Sequence, residues 1–170
     1  MKIELLRAEA KDRPAVENLL QLYQYDFSEI MGGDATDSGR FEFITLEGYW
    51  ERPDRHAFLV KADGRLAGLA LVMEESHFTG KDGTTDMEEF FIMRKYRRRG
   101  VGREVATRLF DMFPGRWEVR VVEPNVNAHA FWLAVIDGYT GAKFEDRKED
   151  SERWRGPVQS FVSAGVSTKR

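Results

Sequence analysis

The stretch Arg97-Arg98-Arg99-Gly100-Val101-Gly102 constrains this chain more than any other. An apolar, strand-like run, Phe90-Phe91-Ile92-Met93, precedes it, and a helical pattern reaching Phe113 follows. A strand that turns on glycine into a helix presents unpaired backbone N–H groups at the turn, and phosphate is the ligand that suits them. Gly100 and Gly102 allow close approach to the backbone because no Cβ stands in the way. Flanking arginines pair with phosphate oxygens bidentately. The segment therefore reads as a pyrophosphate cradle. Two familiar cradles fail on spacing. The P-loop needs Lys-Ser/Thr after its second glycine, where this chain has Arg103-Glu104. The dinucleotide fingerprint needs a third glycine, which this turn lacks.

The spacing that fits is Arg/Gln-x-x-Gly-x-Gly/Ala, carried by Arg97, Gly100 and Gly102. It resembles the acetyl-CoA pyrophosphate motif of the GNAT N-acetyltransferase family, and the run from Glu88 to Gly102 is similar to that family's strand–turn–helix unit throughout. A second segment, Asn125-Val126-Asn127-Ala128-His129-Ala130-Phe131-Trp132, resembles the family's later Asn-x-x-Ala-x-x-Phe/Leu-Tyr motif. A helix and one strand separate the two, as in the family. The resemblance covers residues 57 to 139 well and the two ends in outline.

The resemblance implies one N-acetyltransferase domain over residues 1 to 170. Its fold would be α+β, with a central mixed but mostly antiparallel twisted sheet flanked by helices and strands splayed at the acetyl-CoA site. It implies acetyl-CoA, or coenzyme A, as the bound cofactor. By match, the backbone of Phe91, Ile92 and Met93 would pair with the pantetheine amides. The phosphates would sit over Arg99, Gly100, Val101, Gly102 and Arg103, with Arg97 and Arg98 close by. Asn125, Ala128 and Phe131 would flank the far side of the cofactor. Arg98 stands where the family usually has glycine.

Local patterning agrees with mixed strands and helices. Strands are expected at Ile3–Ala8, 57–61, 66–73, 84–93, 117–122, 141–145 and 158–162. Helices should begin after the N-cap Asp12 and at the glycine turn, and a helix buried on most faces should span Val126–Ile136. Asp63-Gly64 marks a hairpin and Lys81-Asp82-Gly83 another turn, while residues 28 to 50 read as irregular. The net charge of −3 offers no general pull toward nucleic acid or membrane. The triple arginine lacks the wider basic stripe that nucleic-acid binding needs. The longest apolar run, 66 to 73, is too short to span a bilayer, and the N-terminus carries no signal-peptide core, so the expected location is cytoplasmic. The chain has no cysteine, which removes disulfides, thiolate nucleophiles and cysteine-based metal sites. Its three histidines lack metal-ligand spacing, so no metal is expected.

Transfer of an acetyl group to an amine requires a base, because an alkyl ammonium has a pKa near ~10.4. Glu88, Glu89 and Asp86 lie on the relevant strand. Simple alternation puts Asp86 and Glu88 on one face and Glu89 on the other, and a bulge would shift that parity. Glu89, in the tight run Glu89-Phe90-Phe91, is favoured as the base over Glu88. The family's tyrosine acid falls on Trp132, whose indole N–H donates a hydrogen bond but not a usable proton. Tyr139 or Tyr96 would substitute, or solvent would protonate the thiolate. The acceptor is expected to be a primary amine on a small molecule. The acidic segment 26 to 51 (Asp26, Glu29, Asp34, Asp37, Glu42, Glu47, Glu51) favours a cationic one if it borders the cleft. Alternatives are a protein or peptide amine, or an acyl-CoA sensor without turnover. A homodimer is a further expectation, with Trp154 and residues 156 to 162 as the place for its contact.

Overall fold

Asp63 (φ 49°) and Gly64 (φ 74°) both take the left-handed region, the backbone of a two-residue hairpin turn. They join strands β2 (Arg55–Ala62) and β3 (Arg65–Glu75), in which seven successive residues, Ala67 to Met73, are buried. A strand buried along its whole middle needs cover on both faces, and the rest of the chain supplies it. The computed structural model describes residues 1–42, 46, 48–80 and 82–165. Besides that hairpin it contains β1 (Ile3–Arg7), α1 (Arg13–Met31), β4 (Asp82–Ile92), α2 (Val101–Met112), β5 (Gly115–Arg120), α3 (Val126–Thr140), β6 (Phe144–Asp150) and β7 (Arg155–Ser163). Single turns of 3-10 helix lie at Ala10–Asp12 and Arg94–Tyr96.

The strands form one seven-stranded sheet in the order β1-β2-β3-β4-β5-β7-β6. Every pairing is antiparallel except β4 with β5. A parallel pair needs a crossover, and α2 is that crossover. Helix α1 lays Val16, Leu19 and Leu20 on one face of the sheet, against Leu59, Leu69, Leu71 and Phe91. Helices α2 and α3 cover the other face, where Val105, Leu109, Phe110 and Ile136 meet Phe58, Val72 and Trp117. The α+β architecture with a mixed, mostly antiparallel sheet is as expected from the sequence.

Two features of β4 create the site. Its parallel pairing with β5 covers only four positions, Thr84–Met87 against Arg116–Val119. Beyond them β4 runs on to Ile92 without a partner on that side, so the sheet splays. The β3–β4 register also shifts: Leu71 faces Glu89, but Val72 faces Met87. Glu88 is the extra residue, a β-bulge. It places Glu88 beside Glu89 on the α1 face, where plain alternation had separated them.

Several local expectations need correction. Asp12 does sit at the N-cap of α1, but its side chain does not cap that helix. Its carboxylate accepts from the Glu9 N–H at 2.9 Å and closes the preceding 3-10 turn instead. Helix α1 continues to Met31, into the stretch read as irregular, and stops at Gly32 in the left-handed conformation. Gly141 is not in a strand but caps α3, and β6 begins at Phe144. Helix α3 buries only one face, through Trp132, Val135 and Ile136, while Val126 at its start is 69% exposed. Residues 156 to 162 lie in β7, which is paired on both sides, so that segment offers no free edge for a dimer. The free edges are β1 and β6. Two expected positions, Lys81 in a turn and Glu47 in the acidic segment, lie outside the described residues. No helix among the described residues is long and apolar enough to cross a membrane.

Candidate active site

The splay between β4 and β5 opens into a cleft of about 370 Å³. Met87 to Phe90 form one wall and Arg120 to Val122 the opposite one. Tyr23, Gln24 and Phe27 of α1 line one side, and Asn125, Ala128 and Trp132 of α3 another. His77, Arg153 and Trp154 close the end. The last two belong to the β6–β7 turn, held by Ser151 N–H donating to the Trp154 carbonyl at 3.0 Å. That turn docks on the β3–β4 loop: Arg153 donates to the Phe78 carbonyl, and Trp154 meets the His77 ring edge-on at 6.1 Å. Trp154, the residue expected at a dimer contact, packs within its own chain against the His77 ring.

Glu89 is the most perturbed acid in the cleft. Burial pushes its carboxyl up to about 7, and the negative charges of Glu88 and Asp86 add to the rise. The Tyr23 hydroxyl, within hydrogen-bonding reach, and the Arg120 guanidinium oppose it. Glu88 is differently placed. It accepts a hydrogen bond from the Tyr49 hydroxyl, and Arg55 Nη1 lies 3.8 Å away. Burial pushes the Tyr49 phenol far up, and the adjacent Glu88 charge reinforces the shift. Asp86 is fully buried and bound bidentately by Arg120, through Nε at 2.9 Å and Nη2 at 2.8 Å. One carboxylate of the three is therefore tied in a buried ion pair, one is tied to a phenol, and Glu89 is the one poised to titrate near neutrality.

Trp132 lines the cleft and packs edge-on against Phe90, ring centroids 5.0 Å apart. Tyr139 does not join it. Its hydroxyl donates to Asp111 at 2.7 Å and lies 2.8 Å from Ser163 Oγ, away from the cleft. The Tyr139 expectation is therefore corrected: it stitches α3 to α2 and β7. Tyr96 is buried in the core. The phenol lining the cleft is Tyr23, which in sequence is an ordinary member of α1's apolar face. Arg120 is the other residue that sequence reasoning missed. It alternates with buried Val119 and gives no local signal of the Asp86 pair 34 residues away.

The glycine turn meets the requirements of a phosphate cradle. Gly100 is the N-cap of α2, in the left-handed region at φ 83°, and no side chain caps the helix. The first backbone N–H groups of α2 are thus left for a ligand. A Cβ at Gly102 would lie 3.1 Å from Phe131 Cζ, so this position is closed to larger residues while Phe131 is in place. Phe131 in turn stacks on Phe90 at 6.0 Å, and Asn125 caps α3 by accepting from the Ala128 N–H at 3.1 Å. Asn125→Ala should therefore cost about 1 kcal/mol of stability, measured by urea unfolding, through the lost cap.

The arginines divide in an unexpected way. Arg97 is engaged: one of its nitrogens pairs with Asp26 of α1, and Nε donates to the Ile92 carbonyl at 2.7 Å. Arg94 also holds Asp26, at 2.6 Å. Burial opposes ionisation of Asp26, but these two arginines outweigh it and keep its carboxyl below the usual range. Arg98, Arg99 and Arg103 are exposed and have no ion-pair partner among the described residues. The Ile92 carbonyl, taken by Arg97, and the Met93 N–H, which donates to Ala67 O at 2.8 Å, are already in use. Arg98 sits at φ 58°, a conformation that suits glycine and costs other residues roughly 1–2 kcal/mol. Arg98→Gly should accordingly raise the thermal midpoint, by an amount set by about 1 kcal/mol of relieved strain less the lost rigidity of the unfolded chain.

Of the acidic segment, Asp26 and Glu29 bind Arg94 and Arg97, and none of its described acids lines the cleft. His56 is buried between Arg7 and Glu74, 2.6 Å from each, and His129 pairs with Asp146 at 3.1 Å.

Residues 16–135 match the acetyltransferase (GNAT) family. No curated protein matches the chain. The fold is shared with an acetyltransferase from Thermus thermophilus at 20% identity and TM-score 0.68, over 95% of this chain and 96% of that one. It is shared with the ribosomal-protein-S18-alanine N-acetyltransferase from Escherichia coli at 13% identity and TM-score 0.60, over 99% of both. PaiA N-acetyltransferase from Thermoplasma acidophilum, solved in complex with coenzyme A, aligns at 11% identity and TM-score 0.60, over 95% of this chain and 99% of that one. With the family matched across both motifs, the chain belongs to the acetyltransferase (GNAT) family, enzymes that draw their acetyl group from acetyl-CoA.

Proposed function

We propose that the protein transfers an acetyl group from acetyl-CoA to the primary amine of a small molecule, with both reactants held together in the β4–β5 cleft. The observation that carries this reading is Glu89, held near neutrality by burial in a cleft walled by β4, the strand whose end leads through the glycine turn into the uncapped N-terminus of α2. When bound, acetyl-CoA supplies an acetyl group activated as a thioester. The N–H groups at the start of α2, with Arg98, Arg99 and Arg103 around them, would hold its phosphates, and Ala128 and Phe131 would flank its arm.

Glu89 takes the proton of the incoming ammonium. A carboxylate with a pKa near 7 is half ionised at neutral pH, and the remaining gap to the amine is closed as the new bond forms. Tyr23 orients the Glu89 carboxylate, and the neighbouring Glu88 charge keeps it basic. Glu89 also answers the missing tyrosine. Once protonated, its carboxyl is a stronger acid than an ordinary thiol of pKa about 8.5, so it can return that proton to the leaving thiolate, while the second proton that the nitrogen loses as the amide forms leaves to solvent. Trp132 then serves as an apolar wall, not as an acid.

The test is calorimetric titration of acetyl-CoA, followed by thiol release against an amine panel. Binding with thiol release in the presence of one amine class is expected. A folded protein that does not bind acetyl-CoA would overturn the reading, and binding without release from any amine would favour a sensor.

A further inference from the structure

The acceptor end of the cleft contains donors without a partner among the described residues. Arg120 is only 7% exposed, yet Asp86 takes just its Nε and Nη2. Among the described residues Nη1 has no hydrogen-bond partner. The Trp154 ring covers this guanidinium, its centroid 4.7 Å from Cζ. The Trp154 indole Nε1 is itself buried without a partner. Buried N–H groups are nearly always satisfied, so this orphan, in contact with a guanidinium that has a nitrogen to spare, points to an absent acceptor group. Arg153, at the same end, adds a further positive charge. The carboxylates of the cleft, Glu88 and Glu89, stand on β4, close enough to Arg120 for their charges to act on it.

The cleft thus carries a base for an ammonium on β4 and, on β5 and the β6–β7 turn, a guanidinium nitrogen and a buried indole N–H that have no partner among the described residues. Tyr23, Phe27 and Trp154 supply flat apolar surface between them. We infer that the acceptor is a free amino acid, whose carboxylate binds Arg120 Nη1 and Trp154 Nε1 while its amine meets Glu89. This rests on the acetyltransferase reading above and narrows its substrate class. The acidic segment 26 to 51, expected to favour a cationic amine if it bordered the cleft, plays no part in it, since Asp26 and Glu29 there are bound to Arg94 and Arg97. A second ammonium would meet Arg120 and Arg153 where a carboxylate is welcome.

The test compares phenylalanine and leucine with their amides and with the corresponding decarboxylated amines, at saturating acetyl-CoA. Free amino acids should exceed both counterparts by about tenfold or more in kcat/KM, the loss that follows when a charge-assisted hydrogen bond has no partner. Replacing Arg120 would strand buried Asp86, so Trp154→Phe is the informative variant because it keeps an aromatic face and removes the N–H. It should raise KM for the amino acids about three- to tenfold with kcat little changed. KM for the decarboxylated amines should stay as it is. Equal use of the amide or the decarboxylated amine by wild type would overturn the inference, as would a Trp154→Phe effect of the same size on all three. Calorimetric binding of phenylalanine and its amide, read without turnover, keeps the two claims separable. Preference for the free acid with no thiol release would sink the acetyltransferase reading alone, and thiol release without that preference would sink the carboxylate site alone.

Discussion

Glu89→Gln should lower the rate of acetyl transfer by about 10²–10⁴-fold, the usual contribution of a positioned base. Acetyl-CoA affinity should be unchanged, because Glu89 faces the acceptor side of the cleft with Tyr23 and Arg120. Wild-type kcat/KM should fall about tenfold per pH unit below about 7, where Glu89 takes up a proton, and the variant should lose that break. The same substitution has an opposite signature in stability. The folded-state pKa of Glu89 is raised above its unfolded value of 4.5. Its contribution to stability is therefore fully present below pH 4.5 and is lost as pH rises through about 7. The charged form at pH 8 costs the fold on the order of 3 kcal/mol, and the neutral glutamine avoids that cost. Glu89→Gln should thus be more stable than wild type at pH 8 and no more stable at pH 4, measured by thermal unfolding at both. A variant that keeps wild-type turnover would remove Glu89 from the base role, whatever its stability.

Gly102→Glu should weaken acetyl-CoA binding by about a hundredfold or more, close to ~2.7 kcal/mol. Three effects combine. The new Cβ falls 3.1 Å from the Phe131 ring, which must shift out of its stack on Phe90. The longer side chain occupies the approach to the first N–H groups of α2. Its negative charge then repels the phosphates that those groups should attract. A carboxylate early in a helix otherwise favours the helix dipole, so folding should survive. Far-UV circular dichroism beside calorimetry separates the two outcomes: lost binding in a folded protein supports the cradle, and retained tight binding refutes it.

The parts of this site that are local in sequence were legible from it, and the parts that are not local were not. The glycine turn shows itself because strand, left-handed cap and helix lie close together along the chain. Glu89 stands out because it adjoins an apolar run. The bulge at Glu88, by contrast, exists only in the register between β3 and β4, and no residue type announces it. Arg97 was expected at the phosphates because its motif position says so, but Asp26, 71 residues earlier, holds it. Tyr139 follows the motif helix closely enough to suggest a catalytic role, yet about two turns of helix beyond Trp132 carry it to Asp111 and Ser163. β6 was misplaced because its sequence, Phe144-Glu-Asp-Arg-Lys-Glu-Asp150, has no apolar alternation. Such charge is how an edge strand resists pairing with other chains, so the feature that hides it from pattern reading protects it in solution.

The short β4–β5 ladder also bears on how this chain reaches its fold. On one side of it, β1 to β4 are joined strand to strand in antiparallel order. On the other, β5, β7 and β6 form a second antiparallel set. The β2–β3 and β6–β7 hairpins close over short loops, a small entropic cost, and can form early. The four parallel pairs between Thr84–Met87 and Arg116–Val119 can close only once α2 has formed and folded back across the sheet. The joint between the two halves is therefore the part of the sheet with the fewest pairs holding it. Evolution of a wider or narrower substrate opening in this protein is constrained by that joint: each further pair unzipped there enlarges the opening and loosens the union of the two halves.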